Sequence, residues 1–322
     1  MAELDGEQAV RLLATMWRIR LFEERVGMLT RGDEIHGLVH LSVGQEGVAA
    51  AVCSQLRDDD AVYSGHRAHG HAIAKGAPLE PLMAELMGRD SGLCHGLGGS
   101  MHVVDVEHGF LGATGVVGGN IPVALGSALA ARLRGDDAVA VVFFGDGAVQ
   151  AGHFNETVNL ATLWKLPLLL VCENNGFAEF TPRSAHTNVE RVSDVVAPYD
   201  MERDTVDGND VAAVWDAFGR YLAAAREGGG PFLLECLTHR LRGHYEGDPG
   251  KYREALAAAD WQEKDPILRL QRHGIAQGWF AVDALPAIES EAADAVEEAV
   301  RFARESAFPP VALIAEMVYA DG

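Results

Sequence analysis

Apolar residues fall at helical spacing between residues 8 and 29, at Val10, Leu13, Trp17, Ile19, Leu21 and Val26, which predicts a long amphipathic helix in need of a packing surface. A Gly- and His-rich stretch follows over residues 32–119, with short helical patterns at 45–55 and 78–87. From residue 121 the texture alternates. Residues 121–133 read as an apolar helix, 138–144 as a continuous apolar run ending in Gly-Asp-Gly, 147–164 as a helix and 166–172 as a second apolar run. Continuous runs of this kind are the pattern of strands buried on both faces. Residues 205–206 lead into Asp207-Gly208-Asn209-Asp210, a turn that caps a predicted helix at 211–227. A third strong strand follows at 231–237, and the tail from residue 266 holds acidic helices and a late apolar segment at 310–318.

Strands alternating with helices predict an α/β fold with a mostly parallel sheet flanked by helices. The expected organisation is an N-terminal helical arm at 1–30, one α/β domain at 31–260 and a C-terminal helical extension at 261–322. Ligands in such sheets bind beyond the carboxyl ends of the strands.

Composition narrows the partners. The chain has 322 residues, with 26 Lys plus Arg against 47 Asp plus Glu, a net charge of −21. Nucleic acid needs clustered cations to displace counterions from phosphates, so a nucleic-acid partner is not expected. The apolar runs are too short to span a bilayer, and the N-terminus lacks a basic region followed by an apolar one. Four scattered cysteines without a CxxC pair suit a reducing cytoplasm.

The chemistry is concentrated in one pairing. Asp146, in Gly145-Asp146-Gly147, follows one buried strand, and Asn174-Asn175 follows the next. Neighbouring parallel strands would bring Asp146 and Asn175 to the same sheet edge, where a carboxylate and an amide oxygen suit a hard divalent cation such as Mg²⁺. A helix starting near Ala148 would point its positive end at a diphosphate. The histidine-rich word HRAHGH at 66–71 invites a zinc reading, but lacks the spacing and the Cys or acidic partners of such sites. Arg183, Arg191, Arg240 and Arg242 read as surface cations in an acidic protein, and His36, His108, His186 and His273 as structural residues. GxGxxG after a strand, GxxxxGK[ST], GxSxG and HExxH are all missing.

GDG, 26 residues later NN, resembles the thiamine diphosphate binding motif. Its companions are GQEG at 44–47, HRAHGH at 66–71, GGSMH at 98–102, TGVVGGNIP at 114–122, WKLP at 164–167 and RGHYEGDPGKYR at 242–253. In this order they resemble the α-subunit of the decarboxylating first component of 2-oxoacid dehydrogenase complexes, in the pyruvate and acetoin branch. The resemblance implies the thiamine diphosphate-binding fold, with Mg²⁺ on the side chains of Asp146 and Asn175 and on the Phe177 carbonyl. It implies Gly147 and Ala148 against the diphosphate, Arg67 paired with a phosphate, and Gly115 and Val117 at the aminopyrimidine. His66 stands where pyruvate enzymes commonly have Tyr, a feature closer to the acetoin type. His40 and His244 are implied near the reacting centre as catalytic groups.

Tyr245 replaces the Ser that is phosphorylated in mitochondrial relatives, which speaks against that control. The resemblance further implies an α₂β₂ heterotetramer, because the pyrimidine-binding domain lies on a β-subunit, and transfer of a two-carbon unit to a lipoyl group on an acyltransferase component. The small-molecule donor is expected to be acetoin or a 2-oxoacid such as pyruvate. Two-carbon transfer from a ketose and a non-catalytic assembly role are the alternatives.

Overall fold

A computed structural model of the chain describes residues 4–253 and 261–317. Six strands form one all-parallel sheet: β1 (Ala61–Ser64), β2 (Phe110–Ala113), β3 (Ala140–Gly145), β4 (Leu168–Asn174), β7 (Glu202–Asp207) and β8 (Phe232–Leu237). Two-residue strands β5 (Phe177–Ala178) and β6 (Thr181–Pro182) make a separate antiparallel hairpin. The sheet order is β2-β1-β3-β4-β8-β7. Its central strands are apolar along their length because both faces are covered. Val141, Phe143, Leu169, Val171, Leu234 and Cys236 enter one core; Val142, Phe144, Leu168, Leu170, Cys172 and Leu233 enter the other.

The first core is closed by α1 (Gly6–Arg31), α2 (Glu46–Cys53), α3 (His69–Lys75) and α4 (Leu79–Leu86), and the second by α5 (Asn120–Arg134) and α6 (Gly152–Trp164). Helix α7 (Val211–Arg226) returns to the first side, with α8 (Trp261–Lys264), α9 (Pro266–Gln277), α10 (Leu285–Glu305) and α11 (Val311–Glu316) completing the chain. A capping box starts α1, with the Gln8 amide donating to the Asp5 carboxylate at 2.8 Å and Gln8 accepting from the Asp5 amide at 3.0 Å. The apolar stripe of α1 is spent inside this chain, against α2, α3, α9 and α10, with Leu12, Leu13, Met16, Ile19 and Phe22 fully buried.

At the centre of this packing Arg20 forms a buried ion pair with Glu46 and Asp265, its guanidinium donating at 2.5–3.0 Å. That pair ties the predicted arm and the predicted C-terminal extension to the body. The expected boundary at 260 lies outside the described residues, as does Val318 at the end of the predicted late apolar segment. No helix among the described residues is long and apolar enough to cross a membrane.

Several elements differ from the sequence reading, among them β7, whose mostly polar residues it did not take as a strand. Strands β1 and β2 lie in the Gly- and His-rich stretch, four residues each, too short to stand out from a Gly-rich background. The chain after Asp146 forms a 3₁₀ turn, Asp146–Gln150, and the α-helix begins only at Gly152. The helix expected from Ala148 is therefore displaced by one turn.

Candidate active site

Parallel pairing places the carboxyl ends of β1, β2, β3, β4 and β8 along one edge, and the loops leaving them enclose a cavity of about 430 Å³. The register sets Gly145 beside Glu173, so the residues that follow each, Asp146 and the Asn pair, emerge side by side. The two asparagines then divide. Asn174 donates to Glu235 on β8 at 2.7 Å and is structural. Asn175 continues to the site, its side-chain oxygen accepting from the Phe177 amide at 3.2 Å.

Asp146 is fully buried, and neither carboxylate oxygen has a hydrogen-bond partner among the described residues. Burial pushes its carboxyl above the ordinary value, only partly offset by His186. A buried carboxylate without a donor is costly unless a cation completes it, which fits a divalent ion held by Asp146, Asn175 and the Phe177 carbonyl. Next to it, a Cβ on Gly147 would meet the Ala178 side chain at 2.7 Å; only glycine lets the β5–β6 hairpin close over the turn. His186, which the sequence offered only as structural, places Nε2 3.8 Å from Asp146.

The opposite wall carries the reverse charge. Rings of His40, His66 and His244 meet with centroids 4.6, 4.9 and 5.5 Å apart. Arg67 donates to the Leu41 carbonyl and the His244 carbonyl, both at 2.7 Å, and to His244 Nδ1 at 3.2 Å. Arg240 adds a donor 3.3 Å from the same nitrogen and another to the Tyr252 hydroxyl at 2.9 Å. Since arginine only donates, His244 Nδ1 accepts and the neutral ring carries its proton on Nε2. Burial, reinforced by the guanidinium of Arg67, lowers His40 to about 4, His66 to about 2 and His244 to about 3. Burial and the neighbouring Arg240 bring even Arg67 down to about 9.

The sequence reading of Arg240 as a surface cation is overturned: it is 2% exposed and lines the cavity. The signal was its place at the head of the segment containing His244, and what buries it is the return of that segment across residues 39–43, with the Leu241 amide on Val43 and the Glu246 amide on Val39. Asp248 fixes the same loop, accepting from the His244 amide at 2.6 Å and from the Tyr252 hydroxyl at 2.8 Å.

Gly115 and Val117 line the cavity, as do His40, His66, Arg67, Gly147, Ala148, Asn175 and Phe177. The loop bearing Gly115 and Val117 is set by Asn120, which donates to the carbonyls of Ser64 and Gly112 and so ties the ends of β1 and β2 together. The other histidines of HRAHGH serve structure. His69 bonds Glu23 at 2.9 Å, and His71 lies between Ser64 at 2.8 Å and Glu173 at 3.4 Å.

A family model described as dehydrogenase E1 component matches residues 14–312. The chain is 42% identical over 307 residues to the α-subunit of acetoin:2,6-dichlorophenolindophenol oxidoreductase of Bacillus subtilis, covering 95% of this chain and 92% of that protein. It is equally 42% identical over 308 residues to the corresponding subunit of Cupriavidus necator, covering 95% and 92%. The pyruvate dehydrogenase E1 component α-subunit of Rhizobium meliloti is 38% identical over 312 residues, covering 97% and 90%. The chain belongs to the dehydrogenase E1 component family, oxidoreductases that use thiamine diphosphate.

Proposed function

We propose that this chain is the α-subunit of a Mg²⁺- and thiamine diphosphate-dependent E1 enzyme that cleaves acetoin or pyruvate and passes the two-carbon unit to a lipoyl group on an acyltransferase. The observation that carries this reading is the meeting, at one sheet edge, of the buried Asp146 carboxylate with Asn175 on one side and the Arg67 and Arg240 guanidiniums with three imidazoles on the other, around a cavity lined by Gly147, Ala148, Asn175 and Phe177. Asp146 and Asn175, with the Phe177 carbonyl, would hold Mg²⁺. Arg67 and Arg240 would pair with the diphosphate through forked donors, and Gly147 leaves room for close approach. Gly115 and Val117 would meet the aminopyrimidine.

When bound, the cofactor supplies a carbanion and an electron sink. The protein's part is placement and proton handling. His244, with Nδ1 engaged by the two arginines, offers its Nε2 proton as a hydrogen-bond donor. His40, lowered by burial to about 4, is a neutral imidazole at pH 7, able to hold or accept a proton in the reaction.

The names of the relatives identify each as an α-subunit, which supports a β-subunit partner; an α₂β₂ heterotetramer is the assembly we propose. Free thiols at Cys53, Cys94, Cys172 and Cys236 suit the cytoplasm.

The test is turnover of acetoin and pyruvate, read with an artificial electron acceptor, for the chain alone and co-expressed with a β-subunit. Activity only in the pair, and only with thiamine diphosphate and Mg²⁺, is expected. Turnover by the isolated chain, or none in the pair with either donor, would contradict the reading.

A further inference from the structure

We propose that Glu179 selects the donor: its carboxylate takes the hydroxyl hydrogen of an acyloin and repels the carboxylate of a 2-oxoacid. The inference rests on the function proposed above and narrows its substrate class to acyloins.

The hairpin pairs Phe177 with Pro182 and Ala178 with Thr181, so Glu179 and Phe180 form a two-residue loop. Glu179 has φ +54°, a conformation that in such loops favours Gly, Asn or Asp. A glutamate there is strained, and strained non-glycine residues gather where a ligand is held. Local structure does not repay the strain: the Glu179 carboxylate has no hydrogen-bond or ion-pair partner among the described residues. It does line the cavity.

The tip is also held in place. Phe180 sets its ring edge against His244 at 5.8 Å and Tyr252 at 5.2 Å, and Phe177 packs on Tyr252 at 5.5 Å. Glu179 thus stands beside the His244 loop, at the exposed mouth of the cavity. The other glutamate lining the cavity, Glu173, is engaged with His71 at 3.4 Å.

The two donor classes make opposite demands on such a carboxylate. Cleaving an acyloin breaks the bond between its carbonyl and carbinol carbons. The carbinol carbon departs as an aldehyde, so its hydroxyl must give up a proton, here to Glu179, while the bonding electron pair stays with the carbonyl carbon and is taken up by the cofactor. A 2-oxoacid breaks the bond to its carboxylate and releases carbon dioxide, so it has no hydroxyl proton to give. A neighbouring carboxylate then only repels it.

The experiment uses the enzyme reconstituted with a β-subunit, as wild type, Glu179→Gln and Glu179→Gly. The glycine variant suits the positive φ and so controls for folding. Loss of a hydrogen bond to a charged acceptor predicts that kcat/KM for acetoin falls about 10- to 100-fold in both variants. For pyruvate it holds or rises, and calorimetry finds cofactor affinity unchanged. Calorimetry with 2,3-butanediol, a hydroxyl analogue that is not cleaved, is expected to show weaker binding in both variants. An equal fall for both donors, no change for acetoin, or a wild-type preference for pyruvate would overturn the assignment of Glu179. Turnover of neither donor by the wild type would overturn the function proposed above, and this inference with it.

Discussion

The two walls of the cavity are built from the same sheet edge and carry opposite imbalances. Around Asp146 a buried carboxylate has no side-chain hydrogen-bond donor among the described residues, and burial drives its pKa up, only partly offset by His186 and by the backbone amides of Asp146 and Asn175. Around Arg67 two guanidiniums and three imidazoles crowd together, and burial with mutual repulsion drives their pKa values down. Asp146 differs in its partners from the buried carboxylates elsewhere. Glu85, for example, is equally buried but accepts from four backbone amides, of Cys94, Gly96, Gly98 and Gly99. A saturated carboxylate holds a loop; under the proposed function, Asp146 would instead be completed by a cation, and one ligand that is anionic and carries its own metal ion would suit both sides together.

The largest effect that could break this symmetry is removal of the metal side. Asp146→Ala is expected to weaken Mg²⁺-dependent thiamine diphosphate binding by at least about 100-fold, with thermal stability kept or raised because a buried carboxylate offset mainly by His186 is gone. Calorimetry together with a melting curve checks both; full retention of the cofactor would remove Asp146 from the metal site.

Removal on the anion side should cost less, since Arg240 remains. Arg67→Met keeps the stem's packing and is expected to reduce diphosphate affinity about 10- to 100-fold. The same calorimetric titration reads it, and an unchanged affinity would mean that the cations serve only the loop.

The comparison is sharpened by pH. His40, His66 and His244 fall to about 4, 2 and 3 in the folded chain, against about 6.5 unfolded. Between those values the unfolded state binds more protons, so stability is present above pH 6.5 and is lost as pH falls below it. Each histidine contributes up to about 1.4 kcal/mol per pH unit. The melting temperature of the cofactor-free chain is expected to drop from pH 6.5 towards 4. With the diphosphate bound, an anion faces the imidazoles and the slope should flatten. Equal slopes in both states would show that these rings do not meet the diphosphate.

The smallest effect belongs to Phe177→Tyr. A carbonyl ligand is indifferent to its side chain, so cofactor affinity should stay within about twofold; a large change would mean that the ring itself contacts the ligand.

How much of this was legible in the sequence follows from what each signal depends on. Strands β3, β4 and β8 are visible because burial on both faces forces long apolar runs. Strands β1 and β2, inside the Gly- and His-rich stretch, carry too few residues for a period to emerge. Asp146 and Asn175 were legible because they sit immediately after visible strands, so strand pairing fixes their neighbourhood. Arg240 was not, because its burial depends on a loop returning across residues 39–43, a contact between segments about 200 residues apart that no local pattern encodes. His186 escaped for the same reason: it reaches Asp146 from a loop 40 residues downstream. Within HRAHGH the sequence shows three similar histidines. Only packing reveals that His66 and His71 line the cavity, His71 against Glu173, while His69 turns away to the buried Glu23.

The most direct test of the central claim is calorimetric titration of thiamine diphosphate into the chain paired with a β-subunit, once with Mg²⁺ and once with the metal chelated. The two-walled cavity predicts tight binding with Mg²⁺ and a loss of at least about 100-fold without it, since Asp146 then repels the diphosphate that Arg67 and Arg240 attract. Equal affinity in both titrations, or no binding in either, would contradict it.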